Sequence, residues 1–469
     1  MEGAPARRNR AAGATAVRPH RYGSSVSCPL RSARTDHQVP RTPGLISVSG
    51  RGYKAPLGRW VPHGCCQAAD RRVPPTVLCP CGPCGVTEER DIVAKAKNFT
   101  VGVEEEYLLV DRDSRELIRA APTALLDHCV AKLGSQVKTE FQQSQIEVST
   151  EVCETVGQVR DDLSRLRATV AGCAEQEGLA LVAASTHPSA KWEDQRSTDQ
   201  ARYIGLARDL QGVGRRLLTC GMHVHICITE DDLRIDLMNQ VAYFLPHLLA
   251  LSTSSPFWHG EDTGLASYRL SIFDNLPRTG LPGTFASWGE YERHVNVLAS
   301  TGVIPDASMI WWDIRPSVRF PTIEMRICDV CTRLEDAVVI TALFRCLVHM
   351  LFRLRRLNQR WRSYAPMLVA ENRWRAQRYG IDAGLIDFGR GEIVPFPDLL
   401  NEILDLVATD ADELGCTSEL ATAREIVARG TSAHRQRRAF DEARARGASR
   451  DEALRDVVDM LMAESAPGL

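Results

Sequence analysis

Four stretches of this 469-residue chain alternate strictly between apolar and polar residues, and their polar positions are not those of an ordinary wet surface. In FTVGVEEEYLLVD, Phe99 to Asp111, three consecutive glutamates interrupt an apolar segment. Side chains of a β-strand point alternately to opposite faces, so Glu104 and Glu106 share one face and Glu105 takes the other. In SQIEVST, Gln145, Glu147 and Ser149 oppose Ile146 and Val148; in GMHVHICI, His223 and His225 oppose Met222, Val224, Ile226 and Ile228. In TIEMRICD, Glu324 and Arg326 oppose Ile323, Met325 and Ile327. Such alternation describes an antiparallel sheet with one side on a core and one side open. A solvated face usually carries Thr, Lys and Ser, whereas these faces carry Glu, His and Arg, which points to a site.

The segments between these strands have helical spacing. RDDLSRLRATVAGCAEQEG from Arg160 places Leu163, Leu166, Val170 and Cys173 three and four residues apart. DDLRIDLMNQVAYFLPHLLALS from Asp231 and LEDAVVITALFRCLVHMLFRLRRL from Leu334 are more apolar and predict long core helices. The last hundred or so residues predict three or four helices joined by short turns, and no internal repeat is present. Strands and helices together predict an α+β fold.

An apolar fraction of 44% and a charged fraction of 25% belong to a soluble globular chain. Apolar runs such as LVHMLF are too short to cross a bilayer, so no membrane partner is expected, and no nucleic-acid partner either. The net charge of −2 conceals an asymmetry: residues 1–85 hold 13 Lys plus Arg, 3 Asp plus Glu and 11 of the 24 prolines. A segment of that kind cannot bury enough apolar surface to offset its chain entropy. Residues 1–95 therefore read as a disordered extension and 96–469 as the folded domain. The extension lacks the apolar region of a secretory signal. Its Arg-rich, acid-poor character fits a mitochondrial presequence, but a dispensable tail, or a start placed ahead of Val86, is the preferred reading.

Of 15 cysteines, Cys79, Cys81 and Cys84 in CPCGPC, with Cys65 and Cys66, are the best zinc candidates, yet only Cys81 and Cys84 have CxxC spacing. Nine others, such as Cys173, Cys220 and Cys346, stand singly in apolar surroundings, which suits buried thiols in a reducing cytoplasm.

Carboxylates with one or two imidazoles bind divalent metals, and an acid-dominated set suits magnesium, or manganese, better than zinc. Magnesium held by carboxylates keeps positions for phosphate oxygens, and Arg326, two residues from Glu324, is placed to neutralise a transferring phosphoryl group. No Walker A or dinucleotide fingerprint is present. The His223–His225 pair raises an alternative, a zinc amidohydrolase recruiting His259, His294 and Asp313, but the strand-helix alternation of a barrel is missing.

FTVGVEEEYLLVD, TEFQQSQIEVST, CGMHVHICI, SSPFWHGEDTGLASYRLSIFDNLPRTGLP, WWDIRPSVRFPTIEMRICDVCT and ENRWRAQRYG occur in this order. Over roughly residues 97–460 the chain resembles the type 2 glutamate-cysteine ligase family of carboxylate-amine ligases. That resemblance implies a curved antiparallel sheet forming a funnel, helices around it, ATP, and magnesium between nucleotide and substrate. It implies phosphorylation of the γ-carboxylate of L-glutamate, then attack by the amine of L-cysteine, giving γ-glutamylcysteine, ADP and phosphate. A non-catalytic nucleotide-binding paralogue is the other reading it leaves open.

By position in the family motifs, Glu104, Glu106, Glu140, Glu147, His223 and Glu324 match metal ligands, and Arg326 with Glu106 the catalytic positions. Glu105 and His225 are left without a definite role. Arg202 beside Tyr203, Arg269, Arg278, Arg373 and Arg378 are candidates for substrate carboxylates and nucleotide phosphates, with structural ion pairs as the competing reading. Trp258, Trp311 and Trp312 are candidate pocket walls or core. The small-molecule partners expected are ATP and amino acids, and the sheet edges and long helices are compatible with a homodimer.

Overall fold

The computed structural model describes residues 99–466, the side chain of Arg202 excepted. All of them fall in the Pro80–Leu469 unit of the chain. The extension over 1–95, Val86 and the CPCGPC cluster lie outside the described residues.

The strands are β1 (Val101–Asp111), β2 (Val137–Thr139), β3 (Gln145–Ser149), β4 (Leu179–Val182), β5 (Met222–Cys227), β6 (Phe257–Trp258), β7 (Glu261–Asp262), β8 (Ile314–Pro316), β9 (Thr322–Met325), β10 (Leu385–Asp387) and β11 (Glu392–Val394). β6 with β7, and β10 with β11, form small separate ribbons; the others make a seven-stranded sheet of order β2-β3-β1-β5-β9-β8, with β4 also on β1. Every pairing in it is antiparallel. The α+β class and the central antiparallel sheet thus agree with the alternation of the sequence.

β1 organises the sheet because its two halves have different neighbours on one side. Val101 to Glu105 pair with β5, whereas Leu108 to Asp111 pair with β4. At the fork between them the Glu106 N–H donates to Gly221 O at 3.1 Å. In the first half Val101, Val103 and Glu105 are buried while Glu104 and Glu106 keep some exposure; from Tyr107 to Val110 both faces are covered. Only the first half therefore offers an open polar face.

The Val156–Gln176 helix begins at a capping box between Thr155 and Gln158, which satisfies two N–H groups that helix starts leave free. It buries Val156, Val159, Leu163, Leu166, Val170 and Cys173, and packs against β1 and β4. Arg167 lies on the same buried stripe. The apolar Leu334–Arg356 helix packs beside it and on β5. By length and composition this helix could cross a membrane, although 78% of its most apolar stretch is buried inside the fold. Polar residues that break its apolar stretches, such as Thr341, Arg345 and His349, hid that property, and packing in the core accounts for it.

Two helical expectations change. The stretch from Asp231 is not one helix but Asp231–Val241, a 3-10 turn Ala242–Phe244 and Leu245–Ser252. Pro246 explains the break, since it donates no N–H and its ring clashes with the carbonyl four residues earlier. The C-terminal part holds five helices: Phe396–Leu414, Thr417–Ala421, Ala423–Arg429, Ser432–Ala445 and Arg450–Ser465. Gly415 (φ 66°) and Gly430 (φ 85°) supply the left-handed backbone at two of the joints.

Candidate active site

Directly opposed residues of antiparallel strands share a face. The register aligns Glu106 with Glu147 and Glu104 with Ser149 between β1 and β3. It aligns Glu104 with His223 between β1 and β5, His225 with Glu324 between β5 and β9, and Arg315 with Glu324 between β8 and β9. One sheet face thus collects acids, imidazoles and arginines from five strands. Arg326 lies just past the end of β9, where its N–H donates to Asp313 O at 2.8 Å.

On that face the carboxylates and imidazoles form two groups, each with ligand atoms within 4.8 Å of one another: Glu104, His225 and Glu324, and Glu106, Glu140 and Glu147. His225, which sequence reasoning left without a role, belongs to the first. Its Nδ1 meets Thr322 Oγ1 at 3.0 Å, while its buried Nε2 has no hydrogen-bond partner and lies 3.7 Å from Glu104 Oε2. Glu324 is held by Arg315 through bonds of 2.9 and 3.0 Å and also by Arg326. Burial pushes the Glu324 carboxyl up, but Arg326 and Arg315 outweigh it and hold the group well below the usual carboxylate range. Burial likewise raises Glu104, and the neighbouring imidazoles of His223 and His225 bring it well below that range.

The second group shows the reverse balance. Burial, opposed by Arg269 and reinforced by Glu147, pushes Glu106 up to about 7. Burial and the charges of Glu106 and Glu147 raise Glu140 well above its ordinary value. Glu106 Oε2 accepts from Gly221 N–H at 2.6 Å, Glu140 Oε2 from Phe141 N–H at 2.8 Å, and Glu147 pairs with Lys138 at 3.2 Å. Three crowded carboxylates, with Glu106 and Glu140 held above their ordinary values, are a donor set whose charge a hard divalent cation would balance. The orphaned His225 Nε2 fits a cation beside the first group in the same way.

His223 stands between the groups. Its Nδ1 donates to Glu104 Oε2 at 3.2 Å, and its Nε2 lies 4.0 Å from Glu106 Oε1. Burial, aided by Arg326, lowers its pKa to about 4, so the ring is neutral. Arg326 Nη1 reaches Glu324 and lies 3.5 Å from His223 Nδ1, while its buried Nε has no partner. Arg269 donates to Arg326 O at 3.1 Å and to Ile327 O at 3.2 Å. Its guanidinium packs so closely on Gly221 that a Cβ there would stand 2.5 Å from Nη2, so any side chain at that position would displace the guanidinium.

Glu105 points to the reverse side. Its carboxylate is fully buried, receives Arg167 Nε at 2.9 Å and Nη2 at 2.6 Å, and accepts from Tyr107 O–H at 2.5 Å.

Other arginines have separate surroundings. Arg373 gives its donors to Asp313 (2.6 and 3.0 Å) and Asp274 (2.7 and 2.8 Å). Arg378 bonds Gly264 O, and Arg278 bonds Met309 O at 2.7 Å over the Trp311 ring. Arg202's side chain lies outside the described residues; Tyr203 O–H donates to Thr139 O at 3.1 Å. Trp311 is buried, Trp312 packs on Phe285, and Trp258 stacks on His259. The amidohydrolase set does not assemble: His259 faces Glu193, His294 bonds its own helix at Glu290 O, and Asp313 is taken by Arg373. Sequence reasoning missed Arg315, whose three-residue strand is too short for alternation to be visible, and Arg167, which reads as one more charge on an amphipathic helix.

The glutamate-cysteine ligase family 2 model matches residues 100–460. A Rhodospirillum rubrum protein provisionally named glutamate--cysteine ligase 2 is 60% identical over 375 residues, covering 79% of this chain and 96% of that protein. A Jannaschia sp. protein with the same provisional name is 55% identical over 366 residues, covering 78% and 96%. Among solved structures, a bifunctional glutathione synthetase from Pasteurella multocida superposes with a TM-score of 0.58 at 15% identity, covering 81% of this chain and 54% of that one. A glutamate--cysteine ligase from Francisella tularensis in complex with AMP superposes with a TM-score of 0.56 at 13% identity, covering 80% and 91%. At these identities the two structures speak for the fold.

Proposed function

The chain belongs to the glutamate-cysteine ligase 2 family, and on that premise we propose that it joins the γ-carboxylate of L-glutamate to the amine of L-cysteine. It is an ATP-dependent ligase of the glutamine synthetase and glutamate-cysteine ligase superfamily. In the proposed reaction a γ-carboxylate oxygen attacks the γ-phosphorus of ATP and ADP leaves. The cysteine nitrogen then attacks the acyl carbon of γ-glutamyl phosphate, loses a proton and expels phosphate, leaving γ-glutamylcysteine.

The observation that carries this reading is the pair of ligand groups side by side on one face, with Arg326 at their junction holding a buried, unpartnered Nε. Glu104, His225 and Glu324 in one group, and Glu106, Glu140 and Glu147 in the other, would hold magnesium or manganese. When bound there, the metal supplies positive charge that lets phosphate and carboxylate anions approach in line. Neutral His223 separates the two groups and orients Glu104. Arg326 and Arg269 present fixed positive charge where an anion accumulates, and removing one such preorganised donor costs about 3–4 kcal/mol of barrier. Arg315 keeps Glu324 ionised and aimed. No covalent enzyme intermediate is required, so the site needs no nucleophile.

All nine cysteines of the described residues are free and buried, a usage that supports a reducing, cytoplasmic setting. Cys346 and Cys416, read from sequence as isolated, lie 3.3 Å apart.

Residues 86–469, purified and supplied with magnesium and ATP, are expected to release ADP only when glutamate and cysteine are both present. If ADP release is independent of the acid and the amine, or absent, the glutamate-cysteine assignment fails. A screen of other acid and amine pairs by ADP release then separates a ligase for a different pair from a protein that ligates nothing.

A further inference from the structure

The two cations that flank Glu106 arrive from different segments, Arg326 from the end of β9 and Arg269 from the start of the Arg269–Phe273 helix. One buried carboxylate joins those segments. Asp329 is fully buried; its Oδ2 accepts from Ser254 N–H and from Ser255 O–H, each at 2.8 Å, and its Oδ1 from Ser267 O–H at 2.8 Å. Ser255 Oγ in turn accepts the backbone N–H of Arg269 at 3.1 Å. A hydroxyl that donates to a carboxylate becomes a better acceptor, so these two bonds reinforce each other.

The backbone of Asp329 is also engaged. It bridges to Gly221, the residue whose N–H donates to Glu106 and on whose bare Cα the Arg269 guanidinium rests. The guanidinium closes the ring by donating to the carbonyls of Arg326 and Ile327. Glu106, Gly221, Asp329, Ser255, Arg269 and Arg326 thus form one connected circuit. The serine hydroxyls and one N–H bond the Asp329 carboxylate, and the positive charge of Arg269 acts on both Asp329 and Glu106.

From this circuit we infer that Asp329 is a positioning residue: through Ser255 and Ser267 it sets the placement of Arg269 relative to Arg326 across Glu106, and so the anion-binding geometry of the site. The inference rests on the ATP-dependent reading of the site. A polar knot that served folding alone would affect stability without acting through Arg269.

A double-mutant cycle separates the two, with the affinity for Mg·ATP measured by calorimetry and kcat and KM by ADP release, at a temperature where circular dichroism shows every variant folded. Ser255→Ala and Ser267→Ala are each expected to weaken Mg·ATP about tenfold, the size of losing one hydrogen bond to a charged group. The same losses are expected in kcat/KM. In an Arg269→Lys background either serine substitution should add less than about twofold, because the placement it protects is already lost. Equal losses in both backgrounds, or no loss in either, overturn the inference while leaving the proposed function intact. A wild-type chain that fails to bind Mg·ATP overturns both.

Discussion

Glu105→Gln should unfold this protein more readily while leaving the chemistry of each folded molecule nearly intact, the opposite of what Glu104→Gln or Glu106→Gln should do. Glu105 and Arg167 are both almost wholly shielded, with side-chain exposures of 0% and 3%. Two guanidinium N–H groups and the Tyr107 hydroxyl converge on the one carboxylate. Arg167 also donates to Thr332 O at 2.7 Å and Cys331 O at 2.8 Å, so it cannot swing out to solvent without breaking those bonds. A glutamine would offer one acceptor oxygen and turn its NH2 towards groups that are themselves donors. Removing one partner of a buried pair costs about 3–5 kcal/mol, because the remaining charge is left uncompensated.

With an unfolding entropy of about 2.1 cal/mol/K per residue, a folded part of roughly 370 residues shifts its midpoint by about 1.3 °C per kcal/mol, so a fall of about 4–6 °C is expected. The assay is thermal unfolding alongside magnesium-dependent ADP release at 20 °C, with activity normalised to folded protein. Glu106→Gln should keep or raise the midpoint, since it relieves crowding with Glu140 and Glu147, and should abolish magnesium-dependent turnover. If Glu105→Gln keeps the wild-type midpoint but loses turnover as Glu106→Gln does, the division of the three glutamates between opposite faces is wrong. Replacing the pair together, Glu105→Leu with Arg167→Met, should recover most of the lost stability, as apolar substitutes for buried ion pairs often do.

Glu140→Gln removes a charge from the three-carboxylate group and is expected to raise the magnesium concentration for half-maximal activity at least about tenfold, read from a magnesium titration of ADP release. Arg373→Ala strands the buried Asp313 carboxylate and should cost about 3–5 kcal/mol of stability in denaturant titration, with little change in the KM for ATP. Stability should also fall between pH 6.5 and about 4, because burial holds both His187 and His247 at about 4 in the folded state. Below pH 6.5 the unfolded chain takes up protons that these folded histidines refuse, so their contribution to stability is lost as pH falls and is exhausted below about pH 4. The double substitution His187→Gln with His247→Leu should reduce that slope in urea midpoints measured from pH 7 to 4, leaving the part due to His223.

What local periodicity determines here is which side of an element a residue occupies. A period of two assigned Glu104 and Glu106 to one face of β1 and Glu105 to the other, and a period of 3.6 located the Val156–Gln176 and Leu334–Arg356 helices to within a few residues. The motif series identified the family from the same letters. Periodicity is silent on partners, because partners follow from register and from chain reversals. Strand pairing, not spacing, brings Glu324 opposite His225 and Arg315, and a loop ahead of β3 adds Glu140 to Glu106 and Glu147. The same holds for Glu105, whose partner lies 62 residues along the chain, and for Arg373, whose donors end on Asp274 and Asp313. Asp329 carries no local signal at all: its serines come from segments 62 to 75 residues away and converge only once β5, β9 and the Arg269 segment are packed. Faces and family were legible in the order of residues alone. Only folding sorts five of the candidate carboxylates into two groups, brings His225 rather than His223 into one of them, and commits other charges to holding the fold, since a charge's role depends on what stands within a few ångströms of it, and that neighbour is rarely close in sequence.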